Sequence, residues 1–482
     1  MGNEFNLIVL QMNDSHGYLD LHNEYFWKNG KEIYKKVGGY GRITSVFKQI
    51  KGENRNSVIT LDNGDTIHGT YPVVKSKGEV MIPILNRMDF DAWTAHWDFA
   101  YGPDYLVKFA RKLKYPLLAV NCYYKDSQDL VFAPYKVLEK NGIKIGIIGI
   151  ADTIVDKTMP DHFSKGIYLT IGNKELPNYI QELRKERKVE LIIVLSHLGF
   201  PQETKLIKEI DGIDVLISGH THNRLYKPVK VDNTLVIQSG CHGSFIGRLD
   251  LNVRDAKIID YKHTLIVVDS SIPPDKEVQA IIDKILESDK KMLNSIVGET
   301  KIGLARDNVL ETTMDNLLLK ALIDISGSEI AFSNGWRYGA PVPPGKITKQ
   351  DLWNIIPVNP PVSVCEITGE ELWAMMEENL ERTFSGNPYN QMGGYIKRCY
   401  GINVYFKIEN ANGLRIQEFF VGDMKIDYNK SYTASFVTTQ GIPAKYGSNR
   451  RNLNVNAIEA LEKYIKKNTP VNPSLKGTIV PV

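Results

Sequence analysis

Four cysteines in 482 residues, Cys122, Cys241, Cys365 and Cys399, stand far apart, with no Cys-x-x-Cys pair and no zinc-knuckle spacing. That excludes a disulfide framework or a thiolate cage and leaves isolated core thiols. No uninterrupted apolar run approaches the roughly 18 residues needed to span a bilayer, so no membrane segment is expected. Neither sign of charge is in excess: 59 Lys and Arg face 56 Asp and Glu, a formal charge of +3. That is too small to argue for nucleic acid as an obligate partner, and it is compatible with a small anionic substrate. Residues 1–6 run straight into the apolar stretch 7–10, with no basic segment and no small-residue cleavage site. Gly2 lacks the Ser or Thr that a myristoylation signal places where Asn6 stands. The chain as it stands is therefore expected to be soluble and cytoplasmic.

The composition, 43% hydrophobic and 24% charged, is that of a globular protein, and the length favours two domains, each with its own core. Short apolar runs recur at 7–10, 58–61, 117–120, 143–150, 191–195, 213–218 and 235–238, as buried strands do. Helical periodicity lies between several of them, at 42–50 and 176–187, so the first part is expected to be α/β with a largely buried sheet. Pro273-Pro274 then opens an amphipathic helix with apolar positions at Val278, Ile281, Ile282, Ile285 and Leu286. A new pattern follows, including a helix over 315–326 and a strand over 402–408. These changes place a first domain at 1–270, a helical linker at 271–298 and a second domain at 299–482.

The polar residues fall where the runs end. Asp14 and His16 follow 7–10 in Asn13-Asp14-Ser15-His16-Gly17, and Asp65 follows 58–61 in Asp62-Asn63-Gly64-Asp65, where glycine allows a sharp turn. His197 follows 191–195 in Ser196-His197-Leu198-Gly199, and His220 and His222 follow 213–218 in Gly219-His220-Thr221-His222. An Asp-x-His pair commonly caps a helix and Gly-Asp commonly makes a turn, whereas two imidazoles bracketing one small residue in a glycine turn have few structural uses. Together, four strands end in ligand-type residues, at the side of an open α/β sheet where ligands bind. Mixed imidazole and carboxylate donors suit divalent ions of the Mn, Zn, Co or Fe kind better than an all-oxygen calcium site.

The ordered set of these four segments resembles the calcineurin-like metallophosphoesterases, and within them the two-domain 5'-nucleotidase and 2',3'-cyclic-nucleotide phosphodiesterase family. The resemblance implies an α/β chain: a four-layer α/β/β/α sandwich followed by an α+β domain that binds substrate. It implies a phosphoester hydrolase in which a metal-bridging hydroxide is the nucleophile, with a nucleotide as substrate and nucleotide catabolism as its role. By motif position, Asp14, His16, Asp65 and His222 would form one metal site. Asp65, His197 and His220 would form the other, with Asp65 shared.

One segment departs from the family pattern. The family shows Gly-Asn-His-Asp/Glu-Phe-x-x-Gly, whereas this chain has Thr94-Ala95-His96-Trp97-Asp98-Phe99-Ala100-Tyr101-Gly102. Anchoring on Asp98-Phe99 and Gly102 puts His96 at the ligand Asn, Trp97 at the assisting His and Ala100 at its Asp partner. His96 then completes the second site while the assisting dyad is missing. The rival register makes His96 the assisting histidine and leaves the second ion one ligand short. The His-Trp-Asp-Phe form is similar to bacterial thiosulfohydrolases, so hydrolysis of a sulfur ester is a second expectation. A metal-bearing binding protein with weak catalysis is a third.

In the second domain, Ser333-Asn334-Gly335-Trp336-Arg337 is similar to the family's Asn-Gly-Gly-x-Ile-Arg segment, which implies substrate contact by Asn334 and phosphate binding by Arg337. A planar bidentate donor suits a terminal phosphate. Arg382 more weakly matches a second such arginine, with a helix-surface ion pair as the alternative. Tyr389 stands where the family has a base-stacking aromatic, with packing as its alternative. Catalytic roles are expected for Asp65, His96 and Arg337.

Overall fold

The computed structural model describes residues 4–334 and 336–482, so Gly2 and Gly335 lie outside the described residues. Two compact units emerge, one of residues 1–24 and 35–288, the other of residues 25–34 and 289–482.

The first unit is built on two sheets. One runs β11-β10-β1-β2-β3, from β1 (Glu4–Met12), β2 (Val58–Asp62), β3 (Ala92–Trp93), β10 (Phe245–Arg254) and β11 (Lys257–Val267). β1, β2 and β3 are parallel to one another, and β10 and β11 join as an antiparallel edge. The other runs β8-β9-β7-β6-β5-β4, from β4 (Tyr135–Lys140), β5 (Ile143–Ile150), β6 (Leu191–Ser196), β7 (Val215–Ser218), β8 (Val229–Val231) and β9 (Thr234–Ile237). Its middle four strands are parallel.

Strand alternation explains how the sheets stack. Leu7, Val9, Ile59 and Leu61 from one sheet and Ile145, Ile147, Ile193, Leu195 and Ile217 from the other form a single buried core. Burying each such side chain contributes about 1.5–3 kcal/mol. The opposite face of the central strands is apolar too and is covered by helices, giving the α/β/β/α order. Helices α1 (Tyr40–Glu53), α2 (Ile82–Met88) and α5 (Lys276–Glu287) pack together on one side. On the other lie α3 (Leu176–Lys185), whose Leu183 fills the space over Gly146, and α4 (Phe200–Glu209). Asp275 caps α5 by accepting the Val278 amide at 3.1 Å, and Val278 and Ile282 are buried. The run 117–120 is buried but pairs only through single bridges, Trp93 with Leu117 and Leu118 with Ala133, so it is no ladder strand.

The second unit is α+β. A five-stranded sheet runs β14-β12-β15-β13-β16, from β12 (Ile330–Ser333), β13 (Pro361–Thr368), β14 (Arg398–Tyr400), β15 (Ser431–Phe436) and β16 (Ser448–Asn456). It packs with α6 (Thr313–Ser326), α7 (Gly369–Phe384) and α8 (Ala457–Asn468). All four cysteines are buried free thiols. Among the described residues no helix is long and apolar enough to cross a membrane.

Candidate metal centre

Every predicted ligand in the first unit sits just past the carboxyl end of a strand. β1 leads to Asp14 and His16, β2 to Asp65, β3 to His96, β6 to His197 and β7 to His220 and His222. The chain turns there through left-handed conformations that only glycine adopts freely: φ is 50° at Asp14, 47° at His16, 53° at Asp65, 67° at His220 and 58° at His222. Each costs roughly 1–3 kcal/mol, and strain of this kind gathers at functional sites. Two glycines make room. A Cβ on Gly64 would lie 2.5 Å from the Thr94 carbonyl oxygen, and one on Gly69 would lie 2.4 Å from that of His16.

The side chains converge in two buried groups. Asp14, His16, Asp65 and His222 form one, and His96, Asp152, His197 and His220 form the other. In the first, His222 Nε2 lies 3.2 Å from Asp14 Oδ1 and His16 Nε2 3.5 Å from Asp65 Oδ2. Asp65 also faces the second group, with Oδ2 3.4 Å from His197 Nε2 and Oδ1 3.2 Å from His96 Nδ1. One carboxylate thus touches both groups, as a bridging ligand must.

The donor set fits divalent ions. His96 Nε2, His197 Nε2 and Asp152 Oδ2 are buried and make no hydrogen bond. Orphaned polar atoms of this kind each cost about 1–3 kcal/mol unless a ligand satisfies them. Their surroundings orient them. His197 Nδ1 lies 2.5 Å from the Asn63 carbonyl, which as acceptor holds the proton on Nδ1 and leaves the Nε2 lone pair facing the carboxylates. Asn13 donates to Asp14 Oδ2 at 2.6 Å, and the His220 amide donates to the same carboxylate at 3.1 Å. Asn63 accepts from Gln11 at 2.8 Å and donates to the carbonyls of Ser196 and Ile217, both at 2.8 Å, tying the ends of both sheets together.

Burial alone would push the Asp65 carboxyl up, but His96, His197 and His16 outweigh it and hold it well below its usual value. Burial would lower His197, yet Asp65 and Asp14 raise it well above the usual range, and Asp65 and Asp152 likewise raise His96. Ions entering this centre therefore displace protons, so their affinity falls with falling pH.

Asp152 was not among the predicted ligands. It follows the strand 143–150 by two residues, so the rule that found the others applies to it as well. A further unpredicted group, His22, Glu24 and His242, lies beside the first, with the His242 ring 6.2 Å from those of His16 and His222. Glu24 Oε1 pairs with Arg224 at 2.8 Å, and Oε2 accepts from Ser244 at 2.8 Å. Despite burial, His242 and Arg224 hold Glu24 down at about 2.

Trp97 stacks on His68, ring centroids 4.8 Å apart, and its backbone amide donates to Asp65 Oδ1 at 2.7 Å. Asp98 accepts the amides of Asp65, Thr66, Ile67 and His96 and so shapes the loop carrying two ligands.

The remaining predicted residues belong to the second unit. Arg337 donates to the Gly393 carbonyl and lies over the Tyr395 ring at 5.3 Å. Asn334 is buried, with Oδ1 3.4 Å from the Thr438 hydroxyl. Arg382 pairs with Glu378 at 2.6 Å, one helical turn away on α7. Tyr389 is half-buried in the short turn Pro388–Asn390.

Residues 7–224 match the calcineurin-like phosphoesterase family, and residues 292–441 match the 5'-nucleotidase C-terminal domain. The trifunctional nucleotide phosphoesterase protein YfkN of Bacillus subtilis (strain 168) is 24% identical over 462 residues, a match covering 86% of this chain and 30% of that relative's length. The sulfate thiohydrolase SoxB of Thermus thermophilus, solved in complex with glycerol, superposes with a TM-score of 0.92 at 20% identity, covering 99% of this chain and 96% of that one. A 5'-nucleotidase precursor, also from Thermus thermophilus, gives 0.86 at 21% identity, covering 99% of both chains. At such identities these two structures speak for the fold. The chain thus carries, in order, a calcineurin-like phosphoesterase domain and a 5'-nucleotidase C-terminal domain, the pairing found in metal-dependent phosphoric ester hydrolases.

Proposed function

We propose that the chain hydrolyses a phosphate ester of a nucleotide at a pair of divalent ions held by Asp14, His16, Asp65, His96, His197, His220 and His222. The observation that carries this is the position of Asp65, whose two oxygens lie 3.2–3.5 Å from His16, His96 and His197 and so join two donor groups into one centre. Two divalent ions held by these residues would supply Lewis acidity, bringing the pKa of water toward neutral and stabilising negative charge on the ester. The chain's own residues do the positioning. Asp98 fixes the backbone from which Asp65 and His96 project, Asn63 fixes the His197 tautomer, and Asn13 orients Asp14. Asn334 and Arg337 act as the substrate-binding residues of the second domain, the guanidinium matching a phosphate by its planar fork. Trp97 cannot act as a proton donor to the leaving group, because indole N–H is not usefully acidic.

A second reading, hydrolysis of a sulfur ester, is favoured by His96 beside Trp97. The purified protein, supplied with Mn, Zn or Co, is assayed against nucleoside monophosphates, cyclic nucleotides, bis-(p-nitrophenyl) phosphate and a thiosulfonate. Turnover of the nucleotides supports the first reading, and turnover of the thiosulfonate alone supports the second. Trp97→Phe should retain most activity while Asp65→Asn loses a hundredfold or more. Equal collapse of both variants would contradict these roles.

A further inference from the structure

We propose that Asp152 is a metal ligand and that it makes His96, His197 and His220 a site complete in itself, able to hold a divalent ion without Asp65. This rests on reading the two groups as metal sites, and it adds a carboxylate to the seven residues assigned above.

The backbone delivers Asp152 by a fixed route. β5 ends at Ile150, Asn121 clasps Ala151 through both its amide and its carbonyl, and the Asp152 amide donates to the Ala95 carbonyl at 3.2 Å, directly before His96. Its two oxygens then have different fates. Oδ1 accepts the Ile154 amide at 3.0 Å and caps the short turn Thr153–Asp156. Oδ2 is buried, makes no hydrogen bond, and lies 3.1 Å from His220 Nδ1 and 3.6 Å from His96 Nε2.

Those distances suit a shared ion. Zinc-type bonds to nitrogen and oxygen are about 2.1 Å, so two donors on a tetrahedral ion are about 3.4 Å apart. The observed edges, 3.1 and 3.6 Å, bracket that value. A purely structural ion pair would instead show a hydrogen bond from an imidazolium to Oδ2, and none is made. His96 Nε2 and His197 Nε2 are orphaned in the same way, so three unsatisfied donor atoms belong to one group. Asp65 is the more divided carboxylate, since it serves both groups while its Oδ1 also accepts the Trp97 amide. Three imidazoles and Asp152 already supply the four ligands of a closed site.

Asp152→Ser is the informative variant, because a serine hydroxyl can keep the cap on Ile154 while removing the ligand oxygen; asparagine could still ligate through its carbonyl. The full chain is stripped with EDTA, reloaded with Mn²⁺ or Zn²⁺ alone, and its bound metal and affinity are measured by plasma mass spectrometry and calorimetry. Melting in EDTA confirms folding. We expect two ions in the wild type, one retained in Asp65→Asn, and at least a tenfold weaker second ion in Asp152→Ser with an unchanged EDTA melt. Wild-type stoichiometry and affinity in Asp152→Ser, or loss of all metal in Asp65→Asn, would overturn the proposal. A wild type that takes up no metal would sink the metal-centre reading and this proposal together. Metal bound as expected without hydrolysis of any ester would sink only the proposed function. Should Asp152→Ser fail to fold, Asp152→Thr, which also keeps a hydroxyl for the cap, takes its place with its metal-induced rise in melting temperature, and an undiminished rise would count against Asp152 as a ligand.

Discussion

Replacing Asp98 with asparagine tests whether one carboxylate holds the loop that presents Asp65. Asp98 Oδ1 accepts the amides of Thr66 and Ile67, each at 3.0 Å, and Oδ2 accepts those of Asp65 at 2.9 Å and His96 at 3.3 Å. The side chain is fully buried, so lost partners are not replaced by solvent. Asparagine keeps one carbonyl oxygen and thus two of the four bonds, and its NH₂ group confronts the other two donors. Hydrogen bonds to a charged acceptor contribute about 1.5–3 kcal/mol each, so the loss is roughly 3–6 kcal/mol. Burial works the other way, raising the Asp98 pKa and making its ionised form less favourable in place. A net cost near 3 kcal/mol follows. At about 1.4 kcal/mol per decade, that is roughly a hundredfold loss of amide protection at Thr66 and Ile67, read by native-state hydrogen exchange in EDTA. A change under threefold would refute the reasoning and shift the loop's rigidity to its glycines.

Two other outcomes follow from buried charges. Burial raises Glu203 to about 8, so the folded protein keeps a proton that the unfolded chain, with its carboxyl near 4.5, releases. Stability should therefore fall as pH rises from about 4.5 to 8, with a ceiling of about 5 kcal/mol. Glu203→Gln should melt higher than the wild type at pH 8 and converge with it toward pH 5 when both are scanned in EDTA; parallel curves would show that Glu203 does not titrate in this window. In the second unit, Asp315 pairs with two buried guanidinium groups, Arg306 at 3.0 Å and Arg398 at 3.1 Å. Asp315→Asn should cost about 3–5 kcal/mol by urea denaturation, since it strands both charges; a shift below about 1 kcal/mol would contradict their mutual dependence.

Much of the centre is legible in sequence because parallel strands buried on both faces appear as unbroken apolar runs, and the residues just beyond them lie at one edge of the sheet. Six of the seven runs behave this way. The run 117–120 does not, because apolar composition reports burial and not pairing. Strands β10 and β11 escape the same test for the opposite reason: Arg248, Asp250 and Asn252 alternate with the buried Leu249, Leu251 and Val253, so no continuous run forms. His96 emerges as a candidate ligand only by aligning Asp98-Phe99, a pair in which Asp98 pins the backbone on both sides. Asp152 is harder to see. An Asp followed by Thr after a strand reads as a cap, and Asp152 is a cap through one oxygen while the other faces the imidazoles. The positive φ values at five candidate ligand residues leave no trace in composition at all.

The orphaned oxygen of Asp152 also bears on which esters the centre prefers. Asp14 and Asp65 alone leave two divalent ions with a formal surplus of two positive charges, and a third carboxylate halves that surplus. A phosphomonoester arrives as a dianion, whereas a phosphodiester or a thiosulfonate arrives with a single negative charge. With two ions bound as proposed, electrostatic complementarity, which steers charged partners and ranks them, would therefore move toward singly charged esters.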